Sequence, residues 1–112
     1  MRACQCSFCR AHGALSTSDP RGALEFRADA PRRLERYRFG LRTADFLLCR
    51  DCGVYIGAVL AATEGRFGII NVNALGGGVC PPAAQPADYD AEDGTARVAR
   101  RVSRWTPVLA GI

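Results

Sequence analysis

The sequence has no lysine and only one histidine, His12. All fifteen basic residues are arginines, and they exceed the eleven acidic residues to give a net charge of +4. In a chain this rich in alanine and glycine, the uniform use of arginine reflects a GC-rich genome better than selection at fifteen sites. We interpret the arginines of residues 32–36 and 97–101 as solvent-exposed faces. We expect no nucleic-acid partner, because such a footprint needs basic residues gathered on one face with stacking or base-reading groups among them.

Long apolar segments are also missing. No apolar h-region follows Met1, and the longest run of low polarity, residues 54–62, is about half of what a bilayer-spanning helix needs. These absences predict a soluble, cytoplasmic protein without a membrane partner.

With 112 residues the chain is long enough for one core but not for two, and a domain of this size has little stability to spare without a cross-link or a metal.

Six cysteines provide candidates for such a cross-link, and five of them fall in two clusters, Cys4-Gln5-Cys6-Ser7-Phe8-Cys9 and Cys49-Arg50-Asp51-Cys52-Gly53. In a reducing compartment, closely spaced cysteines more often bind metal or do chemistry than form disulfides. A C-x-x-C turn directs two sulfurs at one ion, and the following Gly53 can adopt the positive φ that the turn requires. The second cluster therefore predicts a zinc-binding pair, with a redox pair as the alternative.

The first cluster predicts an open metal site. Three thiolates from a six-residue loop can cover one side of a zinc ion and leave the fourth tetrahedral position to an outside ligand, as catalytic zinc sites do. The alternative is a closed structural site in which Cys6 or Cys9 joins Cys49 and Cys52. His12 is a candidate ligand or proton carrier, although a solitary histidine is more often neither.

The hydrophobic pattern predicts a mainly β fold with a helix near the C-terminus. Two short strands are predicted at residues 24–26 and 34–39, on either side of a break at Pro31. A strand, a cysteine turn and a second strand are predicted over residues 45–62. Residues 66–75 predict a further strand. Residues 1–20 show no periodicity and predict a loop or a short helical turn built around ligands.

We expect a Gly/Pro-rich connector over residues 76–87, in which Cys80 is interpreted as a free thiol. From residue 88 onward acids precede arginines, as the helix dipole favours, with Asp88 or Asp90 as candidate N-cap. Gly94 weakens this helix. Apolar residues recur at helical spacing and would form a stripe on one face of this helix. The stripe would pack the segment of residues 88–112 on the β domain of residues 1–75. It consists of Ala91, Thr95, Val98, Val102 and Trp105.

Four segments together resemble the glutathione-dependent formaldehyde-activating enzyme family, which also includes centromere protein V (the GFA/CENP-V family). They are CQCSFCRAHGA, the strand pair ending YRFG, FLLCRDCGVYIG and GIINVNAL, and they span residues 3–75. The resemblance implies a zinc-stapled folded sheet with two zinc sites. In that reading the first cluster matches the catalytic triplet and the second matches half of the structural site; the five matching ligands are Cys4, Cys6, Cys9, Cys49 and Cys52.

Members of this family typically carry a C-x-C-G strand some twenty residues before the triplet, whereas this sequence begins three residues before it. The resemblance therefore implies either a native start upstream of Met1 or a shortened member. A sheet edge left uncovered by the missing strand would allow a homodimer.

The activity that the resemblance implies is that of a zinc-dependent carbon–sulfur lyase, which forms or cleaves S-hydroxymethylglutathione from glutathione and formaldehyde. Zinc suits this reaction because it can accept an incoming thiol and lower the pKa of that thiol. Arg10, directly after the triplet, is a candidate for pairing with a glutathione carboxylate. The alternative function is that of a non-catalytic zinc-binding interaction module.

Overall fold

The computed structural model describes residues 1–27, 33–75 and 85–111, which form nine strands and two α-helices. The strands are β1 (Arg2–Cys4), β2 (Ser16–Thr17), β3 (Leu24–Phe26), β4 (Leu34–Tyr37), β5 (Asp45–Cys49), β6 (Tyr55–Ala62), β7 (Gly65–Asn71), β8 (Gln85–Ala87) and β9 (Thr106–Gly111). The helices are α1 (Ser7–His12) and α2 (Gly94–Arg104). The predicted mainly β fold with a helix near the C-terminus is confirmed. Cys80 and most of the predicted connector lie outside the described residues.

All nine strands belong to one mixed sheet. Its antiparallel centre has the order β4-β5-β6-β7, and β2, β1 and β8 extend it beyond β7. Strand β9 shares the outer edge of β7 with β2 and carries β3 as a parallel neighbour. Strand β8 runs parallel to β1. Residues 85–87 and 106–111, expected to be connector and tail, are therefore strands of the sheet.

The central strands are buried on both faces. Because successive side chains of a strand point to opposite faces, neighbours in β6 enter different apolar clusters: Ala58 and Leu60 join the first, and Val59 joins the second. The first cluster lies under the helices and includes Phe8, Cys9 and Trp105. The second is closed by residues of β3 and β9, namely Phe26 and Val108. Helices α1 and α2 therefore sit on the same side of the sheet.

Helix α2 begins later than the acidic run suggested. Its N-cap is Asp93, whose carboxylate accepts a hydrogen bond of 2.7 Å from the Ala96 N–H. Asp88 instead accepts the Asp90 N–H in the turn after β8. The prediction of Asp88 or Asp90 as the cap was therefore wrong.

The predicted apolar stripe is only partly present on α2. Val98 and Val102 pack on the first cluster, and Trp105 is buried directly after the helix. Ala91 precedes the helix and Thr95 is exposed, so neither belongs to the packed face. Neither helix in the described ranges has the length and apolarity needed to cross a bilayer.

Candidate metal and ligand site

Strand β1 and helix α1 bring the three N-terminal cysteines together. Cys4 ends β1, Cys6 is the N-cap of α1, and Cys9 follows in the first turn. Their sulfur atoms all lie within 4.8 Å of one another. Ligands at about 2.3 Å from a tetrahedral zinc ion are separated by about 3.8 Å, so small side-chain movements suffice to bring all three onto one ion. The described part of the chain adds no fourth Cys, His, Asp or Glu to this group.

Hydrogen bonding makes Cys6 the most acidic of the three thiols. Donation from Cys4, then from Cys9, and a contact of 3.4 Å from the Cys9 backbone N–H lower the pKa of Cys6 to about 2. The hydrogen bond to Cys6 raises the pKa of Cys4, and donation to both other sulfurs raises the pKa of Cys9. The three thiols therefore differ in acidity, and a divalent cation that replaces their protons meets three thiolates.

Two asparagines at the end of β7 hold the segment that follows α1. The buried Asn71 accepts the Leu15 N–H at 3.2 Å and donates to the Tyr55 carbonyl at 2.9 Å. Asn73 donates to the carbonyl of Gly13, at 2.6 Å. Gly13 ends α1 in the left-handed conformation, with φ of 59°. The GIINVNAL segment thereby fixes the position of the helix that carries Cys9.

The ring of Phe8 anchors α1 on the sheet between Cys6 and Cys9. It meets the buried Tyr55 edge-on, with ring centroids 5.0 Å apart, and stacks on Phe39 at the same distance. Aromatic pairs in these geometries add to the stabilisation that burial provides. The orientation of the cysteine loop is therefore set by the core and not by the loop alone.

A cavity of about 370 Å³ opens beside the three cysteines, and all three line it. This volume lies in the range of sites for small ligands. The apolar part of its wall consists of Phe39, Phe46, Ile69 and Trp105, and the charged part includes Arg2, Asp90, Arg97, Arg100 and Arg101. A molecule that enters the cavity thus meets sulfur, aromatic and guanidinium groups together.

Arg101 is the most buried charged residue at the site, with only 9% of its surface exposed. Its Nη1 donates to the Thr43 hydroxyl at 2.7 Å, and its guanidinium lies 4.8 Å from the Trp105 ring centroid. The Nε atom is buried and finds no hydrogen-bond partner among the described residues. Burial, with smaller contributions from Arg100 and Arg97, lowers the pKa of Arg101 to about 10, so it stays charged at neutral pH.

Arg97 and Arg100 share Glu92. Arg100 pairs with both carboxylate oxygens, at 2.8 and 3.1 Å, and its guanidinium lies 3.5 Å from the Tyr89 ring centroid. Arg97 donates from Nη2 to the Tyr89 carbonyl at 2.9 Å, while its Nε lies 3.5 Å from Glu92 without forming a hydrogen bond. Our interpretation of these three arginines as a solvent-exposed face was wrong. Their i, i+3, i+4 spacing beside Val98 and Val102 was the signal that could have placed them toward the core.

The residues that flank the triplet on α1 lie away from the cavity. Arg10 is exposed and is not among the lining residues, so its predicted role in substrate binding stays a prediction. His12 is also exposed; its Nδ1 lies 2.8 Å from the Phe8 carbonyl and its ring packs on Phe8. These contacts tie His12 to its own helix.

The second cysteine pair occupies the turn between β5 and β6. Gly53 has a φ of 76°, as predicted, and its N–H donates to the Cys49 carbonyl at 2.7 Å. Hydrogen bonds from Cys52 lower the pKa of Cys49. The pair does not join the triplet, so the closed four-sulfur alternative is not formed. Within the described residues no third ligand accompanies Cys49 and Cys52, and zinc binding there stays a prediction.

The fold has a counterpart among solved structures. A crystal structure of a Rhodobacter sphaeroides protein, a structural genomics target, is 29% identical in sequence and superposes with a TM-score of 0.52. The match covers 77% of this chain and 79% of that chain. Neither a family model nor a curated protein matches the sequence. The likeness supports the arrangement of strands described above.

The donor set of the triplet fits zinc. Thiolates are soft ligands that select zinc, Cu(I) and iron–sulfur clusters over magnesium or calcium. Three sulfurs can occupy three tetrahedral positions, and because all three line the cavity, the cavity is the place from which a fourth ligand can approach. Cys4, Cys6 and Cys9 are therefore the residues that would hold the ion.

Proposed function

We propose that this protein belongs to the GFA/CENP-V family and is a zinc-dependent carbon–sulfur lyase, which forms or cleaves the adduct of a thiol, such as glutathione, with an aldehyde, such as formaldehyde. One observation carries the proposal: three cysteine sulfurs within 4.8 Å of one another line a cavity of ligand size. Structural zinc sites are closed by four protein ligands, whereas catalytic sites have three and an open position.

The residues of the cavity have separable roles in this proposal. When bound, zinc supplies a positive charge that favours the thiolate form of a thiol substrate, the nucleophile that an aldehyde requires. Cys4, Cys6 and Cys9 already bring three negative charges against its two, so the site favours activation of sulfur over polarisation of the aldehyde. Apolar side chains, among them that of Trp105, line the same cavity and can pack against the carbon atoms of a substrate.

The proposed reaction balances without an oxidant or reductant. In the forward direction the thiol sulfur forms a bond to the carbonyl carbon, the carbonyl π bond breaks, and the proton lost by the thiol ends on the new hydroxyl group. In the reverse direction the carbon–sulfur bond breaks and the hydroxyl proton returns to sulfur. The arrangement requires a group that binds the thiol and a space for the aldehyde beside it, which the cysteines and the cavity provide.

The test is to measure zinc content and adduct formation on the same protein. Zinc-loaded protein mixed with glutathione and formaldehyde should raise the rate of S-hydroxymethylglutathione exchange, followed by proton NMR, above that of buffer. Cys6→Ser should lose both the zinc of the triplet and the rate enhancement. Cys52→Ser, at an exposed sulfur outside the triplet, should keep the enhancement, and circular dichroism should confirm that both variants fold.

A zinc-replete sample that binds no glutathione at millimolar concentration and gives no rate above buffer would contradict the proposed lyase. That outcome would favour the non-catalytic zinc-binding module instead.

A further inference from the structure

Positive charge dominates the cavity wall. Four arginines line it, but the described residues contribute only one acidic side chain to the same wall, Asp90. Two of the four, Arg2 and Arg101, take part in no ion pair with a described carboxylate. Buried charge is costly unless a counter-charge accompanies it. The described side chains of the cavity wall therefore include more arginines than carboxylates.

Glu92 accepts hydrogen bonds from only one of the three arginines that α2 contributes to the cavity wall. Its two oxygens accept hydrogen bonds from Arg100 in a bidentate pair, whereas Arg97 forms an ion pair with it without a hydrogen bond, the Arg97 Nε lying 3.5 Å from the carboxylate. The Nε atoms of Arg97 and Arg101 are buried with no hydrogen-bond partner in the described part of the chain. Each guanidinium makes a single hydrogen bond there, to the Tyr89 carbonyl and to the Thr43 hydroxyl. Both retain donors for a further acceptor.

The metal cluster alone does not supply that acceptor. Three thiolates around a divalent ion carry one excess negative charge, which can balance one arginine. Asp90 and Glu92 can balance two more, so one of the four arginines remains. A thiolate charge is also diffuse and offers only a weak hydrogen-bond acceptor, whereas a guanidinium matches the two oxygens of a carboxylate.

We infer that Arg97 and Arg101 form a carboxylate-binding subsite, so that the preferred substrates are thiols carrying a carboxylate within reach of the sulfur. This inference rests on the proposed function and deepens it by naming the substrate class. The inference assigns anion recognition to two side chains of α2, which lies more than ninety positions from Met1 along the chain. Both side chains line the same cavity as the cysteines. Neutral thiols of the same size lose this contact and bind more weakly.

The experiment compares two thiols that differ in one group. Zinc-loaded protein is titrated with 3-mercaptopropionate and with 3-mercaptopropanol, and the dissociation constants are taken from NMR chemical-shift changes. The carboxylate should improve binding about tenfold in the wild type. The ratio should fall to about one in Arg97→Gln and in Arg101→Gln, since each removes a guanidinium. Arg104→Gln, an exposed arginine of the same helix outside the cavity, should keep the wild-type ratio.

A third probe separates this inference from the proposed function. 3-(Methylthio)propionate keeps the carboxylate but cannot form a thiolate, and it is titrated into zinc-free and zinc-loaded protein. If it binds in an Arg97-dependent manner while neither thiol gains from zinc, the subsite stands and the lyase proposal fails. If both thiols bind equally well to the wild type, or if the ratio survives in Arg97→Gln, the subsite is overturned while the lyase proposal stands. If no probe binds, both are overturned.

Discussion

The side-chain amide of Asn71 donates a hydrogen bond of 2.9 Å to the main-chain carbonyl of Tyr55 and so joins the end of β7 to the start of β6. Its oxygen accepts the N–H of Leu15, just beyond α1. Replacing Asn71 with alanine leaves these buried backbone groups without partners, which costs about 1–3 kcal/mol. We expect Asn71→Ala to lower the free energy of unfolding by that amount in urea titrations and to weaken zinc binding by the triplet.

Asn73→Ala provides the matched control for Asn71→Ala. Asn73 is exposed and its hydrogen bond to the Gly13 carbonyl is open to water, so its loss should cost less than about 1 kcal/mol. Equal losses in the two variants would mean that burial of Asn71 does not matter to the position of α1.

The hydroxyl of Tyr55 should be dispensable for folding. Only 1% of this residue is exposed, and its oxygen is buried with no hydrogen-bond partner among the described residues. Removing a buried, unpaired polar atom relieves a desolvation cost. We expect Tyr55→Phe to leave the free energy of unfolding unchanged or to raise it by up to about 2 kcal/mol.

Tyr55→Ala, which also removes the ring packed against Phe8, should instead lose about 3–5 kcal/mol. The measurement is urea unfolding of the zinc-loaded protein. A clear loss of stability in Tyr55→Phe would show that the hydroxyl has a partner in solution.

A side chain at Gly57 should be poorly tolerated. Gly57 pairs with Ile70 in the centre of the sheet, and a Cβ atom there would overlap the main-chain carbonyl oxygen of Ile69. Because a backbone atom cannot move aside cheaply, we expect Gly57→Ala to cost about 1–3 kcal/mol in thermal or urea unfolding.

Gly94→Ala is the contrasting substitution, since open space surrounds that position at the start of α2, and it should be neutral or stabilising by up to about 1 kcal/mol. The reverse order of the two variants would contradict this reading.

Local patterns predicted the parts of the fold that local contacts form. Strands β5 and β6 pair across a five-residue turn, so alternation and the C-x-x-C-G signature were enough to place them. Strand β8 pairs with β1 although Gln85 and Arg2 are far apart in the sequence, and no local pattern encodes that partner. Strand β9 contains Pro107 and follows directly on a helix. For these two reasons its sequence was interpreted as a tail and not as a strand.

The same distinction applies to the site. Cys4, Cys6 and Cys9 lie within six residues, so their spacing alone predicted that they converge. Arg97 and Arg101 reach them only because α2 packs back on the face of the sheet that carries α1. The N-cap was missed for another reason: several acids lie close together before α2, and each of them satisfies the preference for an acidic start.

The free energy of unfolding should depend on pH through Glu92, which pairs with Arg100. The hydrogen bond from Arg100, together with the positive charges of Arg100 and Arg97, lowers the pKa of Glu92 below its usual value in the unfolded chain, near 4.3. A carboxyl whose pKa is lower in the folded state contributes stability above the unfolded-state pKa and loses it as the pH falls through the folded-state value. The side chain is 19% exposed, so we expect a contribution of about 0.5–1 kcal/mol at pH 7. Glu92→Gln should therefore be less stable than the wild type at pH 7, and the difference between the two in urea unfolding should shrink as the pH is lowered from about 5 to about 3. A difference that stays constant over this range would show that the ion pair with Arg100 does not contribute to folding.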